Sequence, residues 1–258
     1  LTQLGFRASL LDSSVRYLER LHYDVALVSV NTLFLAQTEP FSIRRLYQAL
    51  GLSGVVGVTP VYVSNGVWKN PFDHAPRSIF VVGIDPSDAV LQAPGVPEGQ
   101  GLVRRRDAVL FDALSRPEHG PIAEAFRQRG PLRTEVNDRE VEVVGLFEMG
   151  TSFGIDGSLL TSDDNFLRLF PQRARNQVDI GLVRTEPGRS ASVVPGMRSV
   201  LAQLDPTLPL GNVRTMEELF ADSMKRARLA TIALGAFALL ALLLAAIGIY
   251  GVMAHAAA

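Results

Sequence analysis

Four histidines (His22, His74, His119, His255) and one pair of adjacent carboxylates (Asp163, Asp164) are the side chains best suited to metal or acid–base chemistry. The histidines are scattered, and none stands at the one-turn or short-loop spacing that ligand sets use. Asp163 and Asp164 follow Ser162, a good helix cap, so they read as first-turn carboxylates that complement a helix dipole, with metal or acid–base work as the alternative. No Gly-x-x-x-x-Gly-Lys-Ser/Thr loop, Gly-x-Ser-x-Gly elbow, His-Glu-x-x-His pair or Ser-x-x-Lys motif occurs. P-loop nucleotide binding and the hydrolase types marked by those motifs drop out. There are no cysteines, which excludes disulfides, thiolate zinc sites and a thiol nucleophile. No catalytic, metal or cofactor residue is therefore assigned, no cofactor is expected, and an enzyme is not.

Two loops carry residues suited to recognition instead. Arg104, Arg105 and Arg106 form a basic run, either solvated or facing an acidic partner, and Asn137 with Asp138 marks the tip of a hairpin. Trp68, the sole tryptophan, either anchors an interface or fills a core. Lysine and arginine number 25 against 26 acidic residues, a net charge of -1, so no field steers nucleic acid.

The elements that must hold these residues follow from hydrophobic period and breakers. A helix is expected over 8–21, with Leu10, Leu11, Val15, Leu18 and Leu21 on one stripe. Strands are expected at 24–30, 55–63 and 78–84, and a helix capped by Ser42 runs from Ile43 to a stop at Gly51. Residues 89–101, rich in Gly and Pro, read as loop. A strand at 108–111, a helix at 122–128, a hairpin of 134–136 with 141–147, and a Ser162-capped helix ended by Pro171 complete the middle. A strand at 178–184, a helix at 195–204 with Pro195 in its first turn and a strand at 208–213 close the domain. The class is α+β, with a β-rich inserted subdomain at 79–171 flanked by platform segments at 1–78 and 172–214.

From Ala230 to Ala254 no charged side chain occurs. As a helix rising about 1.5 Å per residue, this run is long enough to cross a hydrocarbon core of about 30 Å. Ala241, Ala245 and Gly248 fall on one face and suit close helix packing. Before it, 215–229 has Met216, Leu219, Phe220 and Met224 at helical spacing, with Thr215 and Glu218 forming a capping box. A continuous stalk into the bilayer is expected, since no Pro or Gly interrupts 215–234. The chain opens at Leu1 without a signal-peptide pattern, so an extracytoplasmic domain implies a preceding segment.

Several blocks, in order, resemble the periplasmic part of DevC-type ABC exporter permeases over 2–184: Gln3-Leu4-Gly5-Phe6-Arg7, the run from Phe41 to Leu50, Trp68-Lys69-Asn70-Pro71, the run from Phe111 to Pro117, the run from Val144 to Gly154, and Ile180-Gly181-Leu182. Leu204-Asp205-Pro206, Leu208-Pro209-Leu210 and the run from Ala245 to Met253 resemble duplicated MacB/FtsX-like permeases of the acidobacterial type. The resemblance implies a MacB-like permease subunit of the bacterial inner membrane, with its large domain periplasmic and three helices following it. It further implies a homodimer, hydrolysis on a separate cytoplasmic ABC ATPase, an HlyD-like periplasmic adaptor, an outer-membrane channel in some systems, and transmission of motion along the stalk. The alternative is an FtsX-like or lipoprotein-releasing permease acting on a cell-wall hydrolase or lipoprotein carrier.

Replacing Leu243 by Arg should raise the insertion free energy of the apolar run by about 2.5–3.5 kcal/mol. Carbonate extraction of membranes should then release more of the variant than of the parent chain, and equal retention would mean that the run does not insert.

Overall fold

A computed structural model describes residues 20–29, 32, 38–152, 154–204 and 214–215. The core of the described part is a nine-stranded sheet in the order β11-β1-β10-β3-β4-β8-β5-β7-β6, with β6 also pairing back to β3. In chain order the strands are β1 (Val25–Val28), β2 (Phe41–Ser42), β3 (Val55–Lys69), β4 (Pro76–Ile84), β5 (Ala108–Asp112), β6 (Leu132–Val136), β7 (Arg139–Phe147), β8 (Ser158–Thr161), β9 (Gln177–Val178), β10 (Ile180–Thr185) and β11 (Arg214–Thr215). Between them lie helices α1 (Ile43–Gln48), α2 (Val96–Gly99), α3 (Ile122–Arg129), α4 (Asp163–Leu169) and α5 (Ser190–Leu204). β2 and β9 form a separate pair.

Two parts of the sheet differ in character. β11, β1, β10 and the first half of β3 make an antiparallel platform. The second half of β3 joins β4, β8, β5, β7 and β6 in a ring of pairings that closes when Trp68 and Lys69 meet Val136 and Glu135. Within the ring, β4–β8 and β5–β7 are parallel. Of the ring strands, β5, β8 and the last six residues of β4 are buried on both faces, as near-continuous apolar runs require. Phe80, Val82, Leu110, Val144 and Leu160 belong to one apolar cluster, whereas Ile79, Val81, Val109, Val143 and Leu159 belong to another with Trp68 and Phe166.

The first of these clusters runs on beneath the platform through Ala26, Val61, Ile180 and Leu182, so platform and ring share it. The other platform face is covered by α1 and α5, where Val25, Leu27 and Val183 pack with Leu46, Ala49, Val193, Val194 and Met197. Gly181 permits that approach, because a Cβ there would lie 2.7 Å from a Leu46 methyl. Likewise a Cβ on Gly83 would lie 2.5 Å from the Phe166 Cβ, which lets α4 lie close on β4.

Several sequence expectations need correction. β3 does not stop at Val63 but runs through Ser64-Asn65-Gly66 to Lys69, because its distal half has β4 on one side and β6 at its end. The strand expected at 178–184 is divided by Asp179 into β9 and β10. Pro195 sits inside α5 and not in its first turn, since the helix begins at Ser190. β8 was not anticipated, and 89–101 contains the short helix α2. Strands from all three sequence segments join one sheet, and β3, which precedes residue 79, is itself a ring strand. No break in hydrogen bonding therefore sets 79–171 apart as a self-contained unit.

Thr215 ends β11 opposite Val25. The helix expected at 8–21, apart from Arg20 and Leu21, the strand at 208–213, the stalk beyond Thr215 with Met216, Leu219, Phe220 and Met224, and the apolar run with Ala241, Ala245 and Gly248 all lie outside the described residues. Among the described residues no helix is long and apolar enough to cross a membrane.

Phe166 is fully buried and stacks between Tyr62 and Phe170, at ring-centroid distances of 5.6 and 4.6 Å. Truncating it to Ala should cost about 3–5 kcal/mol. Denaturant titration followed by the fluorescence of the single tryptophan, Trp68, measures this, and a loss below about 1 kcal/mol would mean that α4 contributes little to the ring.

Candidate interaction surface

The basic run and the hairpin tip, far apart in sequence, meet in space. Arg104 ends a short 3-10 turn (Leu102–Arg104), and Asp107 leads directly into β5. β5 lies parallel to β7, with Ala108 opposite Glu142. The arginine loop therefore sits beside the start of β7, just after the turn at Asn137 and Asp138. Arg139, two residues past Asn137, reaches Asp107 with Nη1 3.6 Å from Oδ1.

The arginines are largely neutralised within the chain. Arg105 Nη2 lies 2.6 Å from Glu142 Oε2, and Arg106 Nε lies 3.3 Å from Asp107 Oδ2. Arg133 extends the ladder to Glu140 at 3.2 Å and Glu142 at 3.9 Å. Arg104 is exposed and makes no ion pair within 4 Å among the described residues. Exposed pairs of this kind contribute at most about 1 kcal/mol each. Their net effect is a surface of alternating charge that favours neither a strongly acidic nor a strongly basic partner.

The loop is held from beneath by a residue with no obvious sequence signal. Asn165, buried in α4, donates through Nδ2 to the carbonyls of Val103 and Arg105 at 3.0 and 2.8 Å, and its Oδ1 accepts from the Asp107 amide at 3.0 Å. Asp107 takes a left-handed φ of 58°, a conformation that aspartate tolerates better than most residues. Ser162 caps α4 as expected, accepting from the Asn165 amide at 3.1 Å.

Asn137 and Asp138 both have positive φ, 50° and 60°, forming the two-residue turn that matches hairpin twist. Asp138 is exposed. Asn137 is engaged inside the fold: its Oδ1 accepts from the Val67 amide at 2.8 Å, its Nδ2 donates to the Leu169 carbonyl at 3.0 Å, and its own amide donates to the Val67 carbonyl at 2.9 Å. Its side chain is a brace between β3 and α4.

The other candidates resolve into structural roles. Trp68 is fully buried and donates from Nε1 to the His119 carbonyl at 3.0 Å. His119 is buried in turn, its Nε2 3.0 Å from the Ser78 carbonyl. His74 is exposed, and His255 lies outside the described residues. Asp112, fully buried at the end of β5, accepts from the amides of Leu114, Met149 and Gly150 and from the Ser158 hydroxyl, tying the loops after β5 and β7 and the start of β8 to one carboxylate. Among the described residues no group of three or more His, Asp or Glu side chains could hold a metal ion.

Asp163 occupies the first turn of α4. Burial, chiefly, together with the neighbouring Asp164 and Asp85, holds its carboxyl above the usual range despite backbone hydrogen bonds that act the other way. Asp85 is held below the usual range by hydrogen bonds from Ser87.

No protein-family model matches the chain, and no curated protein does. Among solved structures, the chain is similar to the periplasmic region of MacB from Actinobacillus actinomycetemcomitans, at a TM-score of 0.52 and 11% identity, over 81% of this chain and 94% of that one. Lower-scoring likenesses are the extracellular domain of the noncanonic ABC-type transporter YknZ from Gram-positive bacteria (TM-score 0.46, 15% identity, 70% and 92% coverage) and a permease-protein domain from Porphyromonas gingivalis (TM-score 0.45, 16% identity, 74% and 88% coverage). The fold of this chain is that of the MacB periplasmic region.

Because the native state binds the Asp163 proton more tightly than the unfolded chain does, the linked stability is complete below the ordinary carboxylate pKa of about 3.9 and is lost as pH rises through the raised value. Asp163→Asn should therefore stabilise the domain at about pH 7.5 and change it little at about pH 3.5. Thermal unfolding at both pH values checks this; destabilisation at the higher pH would mean that the charge at the start of α4 is favourable.

Proposed function

We propose that this chain is the extracytoplasmic domain, with its following membrane segment, of a permease subunit in an ABC-type exporter of the bacterial inner membrane. The observation that carries the reading is the shared fold with the periplasmic region of MacB across nearly the whole of that region. The apolar run from Ala230 to Ala254 supports the membrane anchor. Hydrolysis is assigned to a separate ATPase subunit.

In this reading the domain does no chemistry. It is a transmitter, with the segment 215–229 assigned as a helical stalk between the domain and the bilayer. Partner contact with an HlyD-like adaptor is assigned to the ring surface where Arg104, Arg105, Arg106 and Asp138 lie together, with Asn137 bracing the turn from inside. The near-neutral ion-pair ladder there makes recognition depend on shape and on the pattern of charge. The subunit works as a homodimer, and a transmitted motion requires that the two nucleotide states of the ATPase favour different arrangements of the stalk.

Purification of the full-length protein with its partners after cross-linking should return an ABC ATPase and a periplasmic adaptor. Arg104→Glu with Arg106→Glu should reduce adaptor recovery at least about threefold, because a misplaced charge at an interface rim penalises binding, while ATPase recovery stays constant. Recovery of a cell-wall hydrolase or a lipoprotein carrier in place of the adaptor would overturn the exporter reading in favour of a permease that regulates those partners.

A further inference from the structure

Between Val61, the last residue of β3 to pair with β10, and Trp68, the first to pair with β6, the strand's ladder partner among the described residues is β4. Side chains bridge the open side at both ends. Asn137 takes the amide of Val67, and Asp179 takes the amide of Val63 at 2.9 Å. Asp179 stands where β10 diverges from β3, and its own amide still reaches the Val61 carbonyl at 3.2 Å.

The Asp179 carboxylate is fully buried and binds three separate segments. Besides Val63 of β3, it accepts from the Thr38 hydroxyl at 2.8 Å and from Arg173 Nη2 at 2.6 Å. Arg173 lies on the stretch that returns from α4 in the ring to the platform, and its own Nε is buried without an acceptor. A buried ion pair of this kind adds little net stability compared with apolar groups of the same volume, and its best-attested use is to select one arrangement among several. Cohesion across the junction is supplied independently by the apolar cluster that platform and ring share.

We propose that the Arg173–Asp179 pair is a conformational lock on the junction between ring and platform. With the pair closed, the two parts move as one body. With it broken, β3 flexes about Val63, whose amide loses its Asp179 acceptor, and the ring tilts against the platform while the apolar cluster keeps them together. This inference rests on the junction itself and does not depend on the transport reading.

The chain has no cysteine, so paired labels can be placed cleanly. Val56→Cys on the platform and Leu114→Cys on the ring, both at exposed positions, would carry nitroxides in the full chain for pulsed distance measurement, with amide hydrogen exchange read in parallel. The lock predicts one narrow distance distribution in the parent chain. In Asp179→Ala and in the double variant Arg173→Met with Asp179→Leu, the distribution should broaden. The Val63 amide should exchange at least about tenfold faster, while amides of the β5–β7 ladder keep their protection. An unchanged distance distribution in the folded double variant would overturn the proposal whatever the Val63 amide does, because that amide loses its acceptor directly. So would failure of both variants to fold, because the pair would then be a requirement of stability and not a lock.

Discussion

The described fold depends on β3 serving both parts of one sheet, platform and ring, with one stretch of extended chain. Its first half must present Val55–Val61 to β10, and its second half must present Val61–Lys69 to β4 while its last two residues reach β6. A strand twisted enough to do both leaves β10 before it meets β6, and the amides in between would be unsatisfied if nothing else approached. Buried backbone groups without partners cost about 1–3 kcal/mol each, so the fold needs side chains at that gap. Asp179 and Asn137 are those side chains, and both are placed by elements that follow from ring closure: the return to the platform and the β6–β7 turn.

The same logic explains why the polar interior is organised around loops. Asp112 gathers two loops and the start of β8 at one end of the ring, and Asn165 fixes the arginine loop to α4. Each uses nearly its full hydrogen-bonding capacity, which is the condition for burying such groups at tolerable cost. The consequence for recognition is that the exposed arginines and Asp138 sit on backbone already fixed from inside. A partner binding there meets a surface that loses little conformational freedom, and pre-organisation of that kind lowers the cost of association.

Much of the architecture was legible in the sequence because it is local. The Ser162 cap, the turn at Asn137 and Asp138, the strands at 78–84 and 108–111 and the helix at 122–128 all follow from capping, turn chemistry and apolar runs. What escaped is non-local. Ser64-Asn65-Gly66 has the composition of a turn, yet the ladder with β4 holds it as strand. Ser158–Thr161 is too short to announce itself and is a strand only because β4 and β5 flank it. Asp179 inside a run of apolar residues reads as an ordinary strand position, yet in the fold it separates β9 from β10 and takes the Val63 amide of β3. Of the candidate surface, the residue types and the two loops were legible. Their adjacency, through parallel pairing of β5 with β7, was not, and neither was the inward role of Asn137.

The pairing order also governs how the chain can acquire its structure. β1 finds its partner only when residues 180–183 exist, since Val28 lies opposite Ile180 and Val25 opposite Val183. By contrast, the β3–β4 and β6–β7 hairpins join segments close in sequence. At synthesis rates of about 5–20 residues per second, β1 waits several seconds or longer beside a ring that is assembling without it. Local hairpins therefore form first, ring closure follows through the distant β3–β6 contact, and the platform is completed last. The edge of β1 is an unpaired apolar strand throughout that interval, which makes it the segment of this fold most exposed to misassembly with another copy.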